Sequence, residues 1–165
     1  MFSEELSFIN KEINNSDDLK NCLNKICIFL NKELEGYDWV GYYFHNKNNK
    51  ELDLIAFSGV PTQHKKISFG KGICGQTALS NNAIIVEDVS KESNYISCNI
   101  NVKSEIVVPL FNNEINIGQI DVDSNTLNRF SKNDLKFLKK INEMISCLLY
   151  TSDAADEGLG VDLGG

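Results

Sequence analysis

The chain has 165 residues, 42% of them hydrophobic and 24% charged, the size and balance of one domain that buries a substantial core. A formal charge of −7, with no Lys/Arg cluster set against the acids, excludes a nucleic-acid surface. No apolar run approaches membrane-spanning length, and the start, Met1-Phe2-Ser3-Glu4-Glu5, is acidic rather than signal-like. The five cysteines are therefore expected in a reducing cytoplasm, where an unpaired thiol can be catalytic.

Residues 4–14 and 17–34 are predicted helices; Leu19, Leu23, Ile26 and Leu30 recur at helical spacing, and Ser16 is a candidate cap for the second. Residues 38–46 and 50–57 read as a hairpin around Lys47-Asn48-Asn49-Lys50. The glycine-punctuated stretch from Phe69 to Gly75 leads into a short helix near 73–80. A strand at 83–87 follows, then a polar loop from Asp88 to Lys103, then a second hairpin at 105–111 and 115–124. The last helix opens at Ser131, with Asp134 as capping-box partner and Phe130 and Leu135 placed as a hydrophobic staple. Its basic run, Lys136 to Lys140, reads as a solvated face. This order suits an α+β fold, an antiparallel sheet with helices packed mainly on one face.

The composition shifts at Cys147. The preceding chain is rich in Asn, Lys and Ile; residues 147–165 contain none of them. That segment resembles a translated sequencing adapter, so residues 1–146 are expected to form one domain and 147–165 a non-native or disordered tail.

Chemistry-bearing residues cluster late. Cys22 and Cys27 sit among the apolar positions of the second helix and read as core. Cys74 falls at a predicted helix N-terminus, where the dipole favours a thiolate; the competing reading is a small buried residue in a tight turn. Cys98 lies in a polar loop with no apolar periodicity to explain it, either a nucleophile or an idle surface thiol. Gln119, Asp121 and Asp123 share one strand face, and Glu105 lies on the matching face of the preceding strand.

Glu105 lies across from Asp121 only if the turn between them is odd, such as Asn112-Asn113-Glu114; a two-residue turn would slip the register. Three converging carboxylates repel, leaving one protonated as a general acid, unless the face is simply solvated. Trp39 and Tyr43 share a strand face with Gly41 between them, as a pocket wall or as core packing. Gly70-Lys71-Gly72 lacks the Walker spacing. His45 and His64 stand alone, and neither a metal nor a cofactor is expected.

Together these pieces resemble a GAF domain of the free methionine-R-sulfoxide reductase family. The resemblance runs from about Asp38 to Phe137 and rests on Trp39-Val-Gly-Tyr-Tyr43, Gly70-Lys-Gly-Ile-Cys-Gly75, Val86-Glu-Asp-Val89, Cys98, Ser104-Glu-Ile-Val-Val-Pro-Leu110, Ile120-Asp-Val-Asp-Ser124 and Arg129-Phe130. It implies a GAF-like fold and reduction of free methionine-R-sulfoxide. Cys98 would be the nucleophile, passing through a sulfenic acid. Glu105, Asp121 and Asp123 would bind substrate and protonate its oxygen, and Trp39 and Tyr43 would line the pocket. Cys74 is the candidate resolving thiol, with a thioredoxin-like protein as final reductant.

Two positions depart from the family's pattern. His64 stands where the family commonly has a further cysteine, and its His-Ile-Ala-Cys-Asp segment appears as Tyr95-Ile-Ser-Cys-Asn99. The competing function is a non-catalytic GAF sensor of a small molecule whose downstream effector is missing. A homodimer through the first helices is also expected.

Overall fold

The computed structural model describes residues 2–95 and 99–155, with side chains through Leu149. Helices α1 (Ser3–Asn15) and α2 (Leu19–Glu33) precede β1 (Trp39–Asn46), β2 (Glu51–Ser58) and β3 (Lys66–Ser68). Then come α3 (Gly72–Ser80), β4 (Ile84–Val86), a 3-10 turn (Val89–Lys91), β5 (Ser104–Asn112), β6 (Ile115–Ser124) and α4 (Lys132–Ala155). The expected boundary after Ser146 falls inside α4, whose Leu149 packs into the core. The short strand β3 was not foreseen; it edges the sheet by pairing Ile67 with Leu52.

The six strands form one sheet in the order β3-β2-β1-β6-β5-β4, every neighbouring pair antiparallel. Alternation sorts the side chains onto two buried faces. Val40, Tyr42, Phe44, Ile106, Val108, Ile120 and Val122 meet α1, α2 and α4 in the larger core. From α4, Leu138, Ile141 and Ile145 are fully buried there, each contributing about 1.5–3 kcal/mol of transfer free energy. Cys22 and Cys27 also lie in this core. The opposite face carries Trp39, Tyr43, Leu52 and Val107, covered by Ile73, Cys74 and Ala78 of α3. Three helices on one face and α3 alone on the other match the expected α+β arrangement.

Two local expectations change. The cap of α2 is Asp18, whose carboxylate accepts from Lys20 N–H at 3.3 Å. Ser16 is instead the extended residue that ends α1. At α4 the capping box forms: Ser131 Oγ accepts from Asn133 N–H, and Asp134 accepts from Ser131 N–H at 2.9 Å.

The β5–β6 turn is the second change. It has two residues, Asn113 and Glu114, with φ of 51° and 67°, as a two-residue type I′ turn requires. A bulge restores the register: Phe111 pairs with Asn116 but Leu110 pairs with Gly118, leaving Ile117 as the extra residue. Parity is therefore supplied by the bulge rather than by an odd turn. Glu105 faces Asp123, and Val107 faces Asp121.

Gly75 holds α3 onto the sheet edge. A Cβ there would lie 2.6 Å from the Ser68 carbonyl oxygen and 2.9 Å from the Gly70 nitrogen, both backbone atoms that cannot swing away. Gly75→Ala is expected to cost about 1–3 kcal/mol by overpacking, measured as a lower denaturation midpoint. An unchanged midpoint would show that α3 docks more loosely than this.

Candidate active site

The acid site is assembled across three strands and one helix. β6 pairs with β1 so that Trp39 faces Asp123, Gly41 faces Asp121 and Tyr43 faces Gln119. On the other side of β6, Glu105 faces Asp123, and Val86 of β4 faces Glu105. Glu105 and Asp121 are therefore diagonal neighbours on one sheet face, within reach of each other's side chains.

That face is not solvated. Glu105, Asp121 and Asp123 are 4%, 1% and 1% exposed, because α3 lies over them. The solvated-face alternative is excluded. Burial places each acid at a desolvation cost that an exposed one escapes. For Asp121 that cost raises the carboxyl pKa above the usual Asp range, with Glu105 and the Cys74 thiol partly opposing it. Neither Asp121 oxygen has a hydrogen bond of full geometry to a described residue. A buried carboxyl of this kind holds its proton higher up the pH scale and can serve as an acid.

Cys74 projects from the first turn of α3 into the same place. One ligand atom each from Cys74, Glu105 and Asp121 lies within 4.8 Å of the others. The expectation of a dipole-favoured thiolate is corrected: burial first, then Asp121, Glu105 and Asp123, push this thiol well above its usual pKa. A helix N-terminus does not outweigh three buried carboxylates. Cys74 is 5% exposed and is a free thiol.

The aromatic pair is on this face as expected. Trp39 and Tyr43 have ring centroids 6.4 Å apart. The indole lies across Gly41, where a Cβ would come within 2.3 Å of it, so the missing side chain is what admits the ring beside Asp121. Trp39 Nε1 donates to the Val60 carbonyl at 3.0 Å, and its ring stacks on Phe57 at 5.9 Å. Tyr43 OH donates to the His64 carbonyl at 2.9 Å. The His64 backbone thus buttresses the pocket wall.

Cys98 lies outside the described residues. Both ends of its segment border the site: Tyr95 packs into the α3-side core, and Asn99 lines a small cavity with Asp38, Trp39, Val60, Asp123 and Asn125. A second small cavity is lined by Ile67, Lys71, Gly72, Cys74, Glu105 and Asp121. A larger cavity of about 560 Å³ between α4 and β5 contains none of the three acids, so volume does not locate this chemistry.

Two residues join the site that sequence reasoning did not assign. Gln119, fully buried, donates from Nε2 to the Cys74 carbonyl at 3.1 Å; its place two residues before Asp121 on the acid face was the available signal. Asn94 accepts from Gly72 N–H at 3.1 Å and donates to the Gly70 carbonyl at 2.9 Å. That clamp joins the loop before Cys98 to the start of α3, and no sequence spacing announces it. His45 is buried edge-on against Phe69, and burial lowers its pKa to about 4. It is a neutral imidazole at physiological pH.

A family model for the GAF domain matches residues 16–145. The chain belongs to the GAF domain family. Among the relatives of this GAF domain, GAF domain-containing protein A of Dictyostelium discoideum is 40% identical over 114 residues, covering 69% of this chain and 71% of that protein. The free methionine-R-sulfoxide reductase of Escherichia coli is 31% identical over 124 residues, covering 75% and 73%. The crystal structure of free methionine-R-sulfoxide reductase from Neisseria meningitidis, in complex with its substrate, superposes with a TM-score of 0.87. It is 30% identical, and the match covers 93% of this chain and 91% of that one.

Proposed function

We propose that this GAF domain reduces free methionine-R-sulfoxide to methionine. The observation that carries the reading is the buried trio Glu105, Asp121 and Asp123 beneath α3, in a chain related to reductases of that name. A fold has no reason to bury three carboxylates on one sheet face for its own stability. A cationic ammonium group and a polarised sulfoxide oxygen are ligands that repay the cost.

The chemistry runs in two stages. The Cys98 thiolate attacks the sulfoxide sulfur; a protonated carboxyl of the trio, Asp121 by its raised pKa, donates to the oxygen. Oxygen passes to the Cys98 sulfur, methionine leaves, and Cys98 is left as a sulfenic acid. A second thiol then attacks that sulfur, expelling water and forming a disulfide, which a thioredoxin-like dithiol reduces. Cys74 is the thiol in this role. It must first lose a proton that its surroundings hold tightly, so resolution is expected to be the slow stage and to quicken as pH rises. Trp39 and Tyr43 bound the methyl-thioether end of the substrate.

Phe8, stacked on Phe29 at 4.0 Å, is 39% exposed, and Ile28 is 42% exposed. This apolar surface on α1 and α2 supports a homodimer through those helices as part of the reading.

The test is methionine release from the separate R and S sulfoxides of the free amino acid, with dithiothreitol as reductant. Release from the R form alone is expected. No release from either, with saturable binding of the sulfoxide retained, would instead make the domain a small-molecule sensor. His64 at the family's further cysteine position is the observation that favours this second reading.

A further inference from the structure

Three groups to which the proposed reaction gives separate tasks also meet at one point on this face. Cys74 Sγ from α3, a Glu105 oxygen from β5 and an Asp121 oxygen from β6 lie within 4.8 Å of one another, all buried. Three separate elements thus aim one soft and two hard donors at a common point. A second observation comes from the non-acidic neighbour: Gln119 is fully buried, and its Oε1 has no hydrogen-bond partner among the described residues. Its amide nitrogen is fixed on the Cys74 carbonyl, so the Gln119 side chain lies at the turn that carries the thiol. Asp121, 1% exposed, likewise has neither oxygen fully hydrogen-bonded to a described residue.

We propose that Cys74, Glu105 and Asp121 bind one thiophilic divalent cation of the zinc type, and that the bound ion shuts substrate out of the acid face. A sulfur donor beside two carboxylates selects such an ion over magnesium or calcium, which take oxygen alone. Zinc bonds of about 2.0–2.3 Å place ligand atoms closer together than 4.8 Å, so each donor draws in slightly as the ion enters. Two carboxylates and a thiolate carry three negative charges; a divalent ion offsets two of them in a site with little water. The Asp121 carboxyl then serves as a metal ligand and is lost as a proton donor, so the loaded protein is an inhibited form. Binding itself does not depend on the sulfoxide reading; the exclusion of substrate does.

The test uses the full chain kept reduced by a phosphine, because thiol reductants would themselves take up the metal. Cd²⁺ is titrated and followed by its thiolate charge-transfer absorption, and Zn²⁺ is titrated against a chromophoric chelator. One ion per chain at micromolar concentration is expected. Cys74→Ser abolishes the Cd²⁺ band, and Cys74→Ser and Asp121→Asn each weaken Zn²⁺ by more than the roughly tenfold that losing a partner behind a ligand already costs. Cys98→Ser leaves the band in place. Far-ultraviolet circular dichroism establishes that each variant is folded; if Cys74→Ser is not, Asp121→Asn decides. A band that survives Cys74→Ser or vanishes with Cys98→Ser overturns the site, as does the absence of micromolar binding. In Cys98→Ser, which cannot turn the substrate over, free methionine-R-sulfoxide should raise the apparent dissociation constant in proportion to its concentration. Binding without that competition would retain the metal site and overturn substrate exclusion.

Discussion

Asp121→Asn is expected to lower kcat/KM for free methionine-R-sulfoxide by about 10²–10³-fold, the range for loss of a positioned proton donor or charge stabiliser, while making the fold more stable. The two effects share one cause. Asp121 is 1% exposed on a strand between two others and beneath α3, so its charged form is paid for by the rest of the molecule. Asn keeps the shape and removes the charge. The gain should be on the order of 1–3 kcal/mol, as for replacement of a poorly compensated buried ionic group.

The pH dependence has a definite sign. Burial raises the Asp121 pKa in the folded state above its unfolded value, so the native chain binds a proton that the unfolded chain has released. That contribution is fully present below the unfolded pKa of about 4. It is lost as pH rises through the folded value. The variant should lack this decline, and its advantage should widen as pH rises across that window. Chemical denaturation of both proteins at several pH values, beside steady-state turnover, checks both halves. A variant less stable than the parent at every pH would contradict the assignment of Asp121 as a strained functional acid.

Asp134→Ala should do the reverse, costing about 3–5 kcal/mol, the scale of breaking one partner out of a buried ionic network. Asp134 is 3% exposed. Its carboxylate accepts from Tyr37 OH at 2.8 Å and from Ser131 N–H at 2.9 Å, and it pairs with Arg129 at 3.2 Å. Arg129 in turn donates from Nε to the Glu35 carbonyl at 2.9 Å and lies 5.3 Å from the Tyr37 ring centroid. Removing the carboxylate uncaps α4 and strands a buried phenol and a guanidinium together. The denaturation midpoint should fall accordingly, with turnover per folded molecule little changed, since none of these groups lies on the acid face. Loss of turnover in fully folded Asp134→Ala would contradict that separation.

These two acids show what a sequence makes legible. Asp134 was readable from local rules: Ser131 and Asp134 stand three apart at the start of an apolar repeat, and the box forms as expected. Asp121 was half readable. Alternation placed it with Asp123 and Gln119 on one face, but whether that face meets water depends on α3, which crosses the sheet from elsewhere in the chain. The register was legible in its requirement and not in its device. Glu105 needed correct parity with β6, and Ile117 supplies it as a bulge. A bulge leaves no composition signal as plain as a turn glycine. Cys74 was placed correctly at a helix start, yet its electrostatics are set by strands 30 and more residues away in sequence, and those reverse the local dipole. Asn94 is wholly tertiary: its clamp on Gly70 and Gly72 exists only once the loop folds back.

In the proposed reaction Cys98 delivers the electrons to the sulfoxide over this acid face. A single-turnover experiment without added reductant tests it most directly, comparing the full chain with Cys98→Ser on free methionine-R-sulfoxide. One methionine released per chain is expected, with oxidation confined to Cys98 or a Cys98–Cys74 disulfide by mass spectrometry, and no release from Cys98→Ser. Methionine released at the same amplitude by Cys98→Ser would contradict it.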